Sequence, residues 1–207
     1  MRRHVPVVLI NRQFKKHPHD VVQVDNYLAM RRLVEYVLGL GHEQAVFFGG
    51  HSYVSTCRDR YRGYCAAMKA AGLRPRPAVY CGTAREGKAL VASDQLMRSA
   101  RRPTAVLCYN DDLAVEVMHH LMCQGFSIPG DLSITGFDDI DMAPLLSIPL
   151  TTVQQPTYLL GQKAAELLLR RINGSMEGYP QSVVLDTNLM IRASSGPPPD
   201  RVKTPTS

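Results

Sequence analysis

No apolar run in this chain of 207 residues approaches the roughly 20 residues that a bilayer-crossing helix needs. The opening sequence MRRHVPVVLINR carries two arginines, but its apolar run VPVVLI is short and no small-residue cleavage site follows. It reads as a strand rather than an export signal. The five cysteines (Cys57, Cys65, Cys81, Cys108, Cys123) are scattered, odd in number and without C-x-x-C spacing. That pattern argues against a zinc cage or a disulfide framework and for a reducing cytoplasm. Catalytic signatures are missing too: there is no G-x-S-x-G elbow, Walker loop, G-x-G-x-x-G or H-E-x-x-H. The histidines are scattered, and the adjacent pair His119-His120 cannot share one helical face. The net charge of +6 is not concentrated either. Its arginine pairs are spread along the chain, with neither the basic stripe nor the interleaved aromatics of a nucleic-acid surface.

What is there is a soluble globular composition, 45% hydrophobic and 20% charged, in an alternation of strand and helix signals. Strands are expected over 5–11, 21–24, 44–50, 78–82, 104–110, 131–137 and 182–192, and the segment 150–156 leads into the last helix. Helices are expected over 26–42, 59–71, 88–99, 111–125 and 157–172. The best signalled is the helix after TAVLCYN, where Asn110 can cap the N-terminus, two aspartates meet its positive end and Gly125 stops it. The proline-rich segment 196–207 reads as a disordered tail. Strand, helix, strand, helix at this spacing means an α/β protein built on parallel sheet.

In open parallel sheets ligands bind beyond the carboxyl ends of the strands. Asn11, Gly49-Gly50, Asn110-Asp111 and Asp138-Asp139 all fall at expected strand ends. The stretch GFDDID, 136–141, is the densest of these, with three carboxylates directly after an apolar run. A short polar side chain there can read hydroxyl and amide groups, and a carboxylate can accept two hydroxyl hydrogens at once. The same aspartates could hold Mg²⁺. They could also complement a helix dipole or cap backbone in a solvated turn.

The residues VDNYLAM, LGLGHEQAVFFGG, RYRGYCAAMKAAGL, PTAVLCYNDDLAVEVMHHLMCQGFSIPGDLSITGFDDIDMAPLLSIPLTTVQQP and VVLDTNLMIRASS occur in order. Together they resemble the effector-binding domain of the lac repressor and galactose repressor family of transcriptional regulators, over Val5 to Ser195. The resemblance implies a periplasmic-binding-protein-like fold of type I: two lobes of parallel sheet flanked by helices, with an effector in the cleft between them. Carried over position by position, Asn11 stands where the family has a cleft aspartate, a neutral amide replacing a carboxylate. Arg60 matches the arginine of an R-x-x-G motif, Asn110 the asparagine of ND, and Asp138 the first aspartate of GFDD. These four are the expected effector contacts, with Arg12, Thr56 and Ala84 as pocket wall. Ala84 takes a position where the family often has an aromatic ring. Asp139 and Asp141 are expected to form lip and turn.

The family implies one lobe over about 25–154 and 185–195, and a remnant N-terminal lobe over about 5–24 and 155–184. The helix-turn-helix, hinge helix and first strand-helix units that open family members are not in this sequence. The apolar stripe of helix 157–172 is therefore expected to have lost most of the sheet it covers. The expected function is effector sensing and homodimerisation in a cytoplasmic DNA-binding regulator, with operator contact only through the absent helix-turn-helix. The effector is expected to be a small polar molecule of the sugar or nucleoside class. No enzymatic activity, cofactor, metal or membrane partner is expected. The rival reading is a periplasmic-type sugar-binding protein of a transport system.

Overall fold

A computed structural model describes residues 5–12, 19–82, 86–175, 178 and 180–199. The larger lobe is built on a parallel sheet of four strands: β3 (Ala45–Gly49), β4 (Val79–Tyr80), β5 (Ala105–Cys108) and β6 (Ser133–Thr135), in the order β4-β3-β5-β6. Side chains alternate across a strand, so β3 sends Ala45 and Phe47 to one face and Val46 and Phe48 to the other. On the first face lie α1 (Asn26–Gly39) and α2 (Ser55–Ala70), whose Met30, Leu33, Tyr64 and Met68 are fully buried. On the second lie α3 (Lys88–Met97) and α4 (Asp111–Cys123), with Leu113, Val117 and Leu121 buried. A sheet covered on both faces explains why these strands are apolar runs without alternation.

The smaller lobe is a parallel sheet of three strands, β1 (Val8–Ile10), β2 (Asp20–Val24) and β8 (Ser182–Leu185), in the order β1-β2-β8. Helix α5 (Thr157–Ile172) packs on it through Leu160, Ala164 and Leu167 against Val22 and Val24. The stripe expected to be bare is therefore covered at its centre. Only its end is open, with Leu168 half-buried and Ile172 59% exposed. Asp20 fastens this lobe: Arg171 at the end of α5 donates to it twice, at 2.7 and 2.9 Å, and the Gln181 N–H donates at 2.7 Å.

Among the described residues the chain passes between the sheets three times, from β2 to α1, from β7 (Thr152–Gln154) to α5, and from β8 to β9 (Asn188–Met190). The single strand expected over 182–192 is two: β8 joins the small parallel sheet, while β9 pairs antiparallel with β7. Nor does the expected tail leave the body at once. The Gly196 carbonyl accepts from the buried His42 ring and from the Ser133 hydroxyl, and its N–H donates back to Ser133 Oγ. Residues 200–207 lie outside the described residues.

Candidate functional site

The C-terminal ends of β1, β5 and β6 open onto one cavity of about 520 Å³ between the two sheets. Its walls include Asn11, Arg12, Thr56, Arg60, Asn110 and Asp138. Six of the seven residues expected at the site are thus brought together; the seventh, Ala84, lies outside the described residues. Tyr109, Gln155 and Thr157 complete the polar wall, and Ile10 and Ile140 supply apolar patches.

Backbone strain concentrates here. Among the described residues, the non-glycine positions with positive φ are Asn11 (49°), Asp138 (138°) and Asp139 (57°). Such conformations cost on the order of 1 kcal/mol or more and persist where surrounding structure enforces them. At Asp138 the enforcing element is β7: the Asp138 N–H donates to the Val153 carbonyl at 2.8 Å, and its carbonyl accepts from the Gln155 N–H. The carboxylate is thereby turned out of the strand line into the cavity.

Arg60 reaches the cavity from inside the larger lobe and is 4% exposed. Its guanidinium lies 3.5 Å over the Phe137 ring, donates from Nε to Asn26 Oδ1 at 2.8 Å and from Nη1 to the Tyr109 carbonyl, and sets Nη2 3.6 Å from Asp138 Oδ1. Burial lowers its pKa, and the Asp138 carboxylate works against that loss of charge. Burial also pushes the Asp138 carboxyl up, to about 6, despite Arg60 and the Gln155 amide; Asp111 and Asp112 nearby push it the same way. Asn110 both caps α4, accepting from the Leu113 N–H at 3.2 Å, and faces the cavity. Its side-chain nitrogen has no partner among the described residues and is free to donate to a ligand.

Asn11 accepts the Val24 N–H at 3.0 Å and donates to Gln155 Oε1 at 2.6 Å, while Gln155 Nε2 donates to Asp138 Oδ1 at 2.5 Å. Arg12 spans the same gap, donating from Nη1 to the Asn11 carbonyl and to Thr56 Oγ1, both at 3.0 Å. Gln155 was missed by sequence reasoning, although its signal stood in the motif TTVQQP.

The neighbouring carboxylates have other work. Asp139 is a correction: instead of forming a lip it is buried in an ion pair with Arg192 at 2.7 Å and accepts from Gln154 Nε2 at 2.9 Å. Asp111 is fully buried and accepts from Thr152 Oγ1 and the Ile140 N–H, tying α4 to the segments after β6 and at β7. Burial raises its pKa, with those donors opposing. Asp141 is exposed, as a turn residue should be. Among the described residues no group of three His, Cys, Asp or Glu side chains is placed to hold a metal ion.

Two lobes of parallel sheet joined by three crossings, with a polar cavity at the strand ends, define a periplasmic-binding-protein-like domain. The family model of that description matches residues 34–195. The chain is 35% identical over 154 residues to the HTH-type transcriptional repressor PurR of Photobacterium profundum, covering 74% of this chain and 45% of that protein. It is 32% identical over 191 residues to the HTH-type transcriptional repressor CytR of Escherichia coli K12, covering 92% and 56%. Among solved structures, a LacI family transcriptional regulator from Enterococcus faecium with bound ribose superposes with a TM-score of 0.81 at 27% identity, covering 93% of this chain and 71% of that one. The chain belongs to the lac repressor family of transcriptional regulators and carries its effector-binding domain. It spans about half the length of the curated relatives it matches.

Proposed function

We propose that this domain senses a small polar effector of the sugar or nucleoside class in the interlobe cavity and passes its occupancy to a paired DNA-binding module. The observation that carries the reading is the cavity of about 520 Å³ whose wall gathers Asn11, Arg60, Asn110 and Asp138. Asp138 accepts ligand hydroxyls, Asn110 donates an amide hydrogen, Arg60 braces Asp138 electrostatically, and Asn11 sets the position of Gln155. An effector that touches both lobes binds the closed arrangement better than the open one, and only that difference can shift the population. Lobe closure then alters the spacing of the paired DNA-binding modules of a homodimer.

The reading includes a cytoplasmic protein, consistent with five free thiols, and no enzymatic step. Among the described residues no helix is long and apolar enough to cross a membrane. The relatives named above are repressors rather than transport proteins, which favours regulation over solute capture. Calorimetric titration with ribose, other pentoses and hexoses, and purine and pyrimidine nucleosides tests the reading. Binding that Asp138→Ala weakens by about tenfold or more supports it, since a ligand donor is left unpaired. Binding indifferent to Asp138→Ala overturns it.

A further inference from the structure

The cavity wall carries unequal charge. Two guanidiniums, Arg12 and Arg60, face one carboxylate, Asp138. That carboxylate already sits against Arg60 at 3.6 Å and accepts from Gln155. Arg12 has no carboxylate partner among the described residues. A single nitrogen, Nη1, makes both of its hydrogen bonds, so Nε and Nη2 remain as donors in the fixed fork that matches a planar or tetrahedral oxyanion.

The peptide groups add to the same field. Thr56 stands in the first turn of α2, and Thr157 opens α5. Neither helix has a side-chain cap or an acidic residue in its first turn. By contrast α4 is capped by Asn110 and has Asp111 and Asp112 in its first turn. The two uncapped N-termini leave their partial positive charge uncompensated near Arg12, while the acid-flanked one lies behind Asp138. The cavity therefore has two ends of opposite character.

We propose that the effector is a polyhydroxylated anion, a sugar acid, sugar phosphate or nucleotide. Its hydroxyls meet Asp138 and Asn110, and its carboxylate or phosphate lies on Arg12, Thr56 and the start of α5. This rests on the interlobe cavity being the effector site and adds the charge class of its ligand. A neutral sugar would leave the exposed Arg12 fork to solvent, whereas an anion placed there also joins the small lobe to α2 of the large one, favouring closure.

The test is calorimetry on the 207-residue chain with matched probes: ribose against ribonate and ribose 5-phosphate, galactose against galacturonate, and adenosine against adenosine 5′-monophosphate. The anionic member of the binding set should be tighter by about tenfold or more, with an advantage that shrinks as salt rises. Arg12→Gln should abolish that advantage, weakening the anionic member more than the neutral one until the two bind alike. A neutral member that binds as tightly as its anionic counterpart, or an Arg12→Gln change that weakens both equally, overturns the anion assignment and leaves the cavity as the effector site. Binding unaffected by Asp138→Ala, or no binding of any probe at millimolar concentration, overturns the cavity reading and the anion assignment with it.

Discussion

Gln155 donates its side-chain amide to Asp138 Oδ1 at 2.5 Å, and the other end of the same carboxamide accepts from Asn11 at 2.6 Å. One residue in the β7–α5 crossing thereby ties a β1 strand end to the GFDD strand end. Both anchors also have a strained backbone, Asn11 and Asp138 each having positive φ. A side chain at the hinge thus determines where the cleft's two polar poles stand.

Removing that link should loosen the cleft without unfolding the large lobe. Gln155→Ala leaves the Asn11 amide without its partner and Asp138 Oδ1 with only the Arg60 ion pair at 3.6 Å, at a cost of about 1–2 kcal/mol in the folded chain. Urea denaturation of the unliganded chain measures this. A midpoint unchanged from wild type would mean that water replaces the amide at no cost and that the link does not order the cleft.

Binding should also depend on pH through Asp138, whose carboxyl burial raises to about 6. The ionised form is the hydroxyl acceptor, so affinity should be flat above pH 7 and fall by up to about tenfold per unit well below 6. Stability runs the other way. A carboxyl with a raised folded pKa holds its proton more tightly than the unfolded chain does. Its contribution is therefore fully present below about 4 and lost as pH rises through about 6. Calorimetry from pH 5 to 8 on wild type and Asp138→Ala separates the two, because the variant should lose this limb of the pH profile.

Local signals in the sequence were legible where side chains act on their own backbone. Helix α4 was readable because Asn110 caps it and Asp111 opens it. Helix α2 begins at Ser55 rather than the expected 59 because its N-cap, Val54, makes no side-chain bond and so leaves no mark in the sequence. The break between β8 and β9 was hidden for a related reason: the run VVLDTNLMI has no glycine or proline to announce it, and pairing with two different sheets makes it. At the site, Asp138 and Asn110 could be placed as polar strand ends. The Gln155 bridge, the Arg12–Thr56 contact and the Asp139–Arg192 pair join residues 17 to 144 positions apart or lie on different lobes, and only folding brings them together.

Gly136 of the same motif has a packing reason to be glycine. A Cβ there would come within 2.0 Å of Asp111 Oδ1, which is held by Thr152 Oγ1 and cannot swing away without breaking that bond. Gly136→Ala should therefore destabilise the chain by about 2 kcal/mol or more, as overpacking combined with a displaced buried carboxylate does. Thermal or urea unfolding checks this. A near-neutral result would show that Asp111 can move, and would remove the tie it makes between α4 and β7.

The small lobe should be the weaker half, and one ion pair should govern it. Among the described residues its apolar core has five buried members, Val22, Val24, Leu160, Ala164 and Leu167, against the two larger clusters on either face of the other sheet. Asp20 compensates by holding the end of α5 and the entry to β8 to β2 through Arg171 and Gln181. The Arg171 guanidinium, and then the Gln181 N–H, hold the Asp20 carboxyl below the usual carboxylate value in spite of burial. A depressed folded pKa gives stability that is present above the unfolded value near 4 and lost as pH falls through the folded one. Asp20→Asn should therefore behave at neutral pH much as the wild type does in acid. Amide exchange should speed up by about tenfold or more in β2, β8 and α5, while β5 and β6 keep their protection, because local opening follows local contacts. The variant's acid limb should also be shallower than that of the wild type. Equal acceleration in both lobes would show that they unfold as one cooperative unit, and that Asp20 supports the whole chain rather than its smaller half.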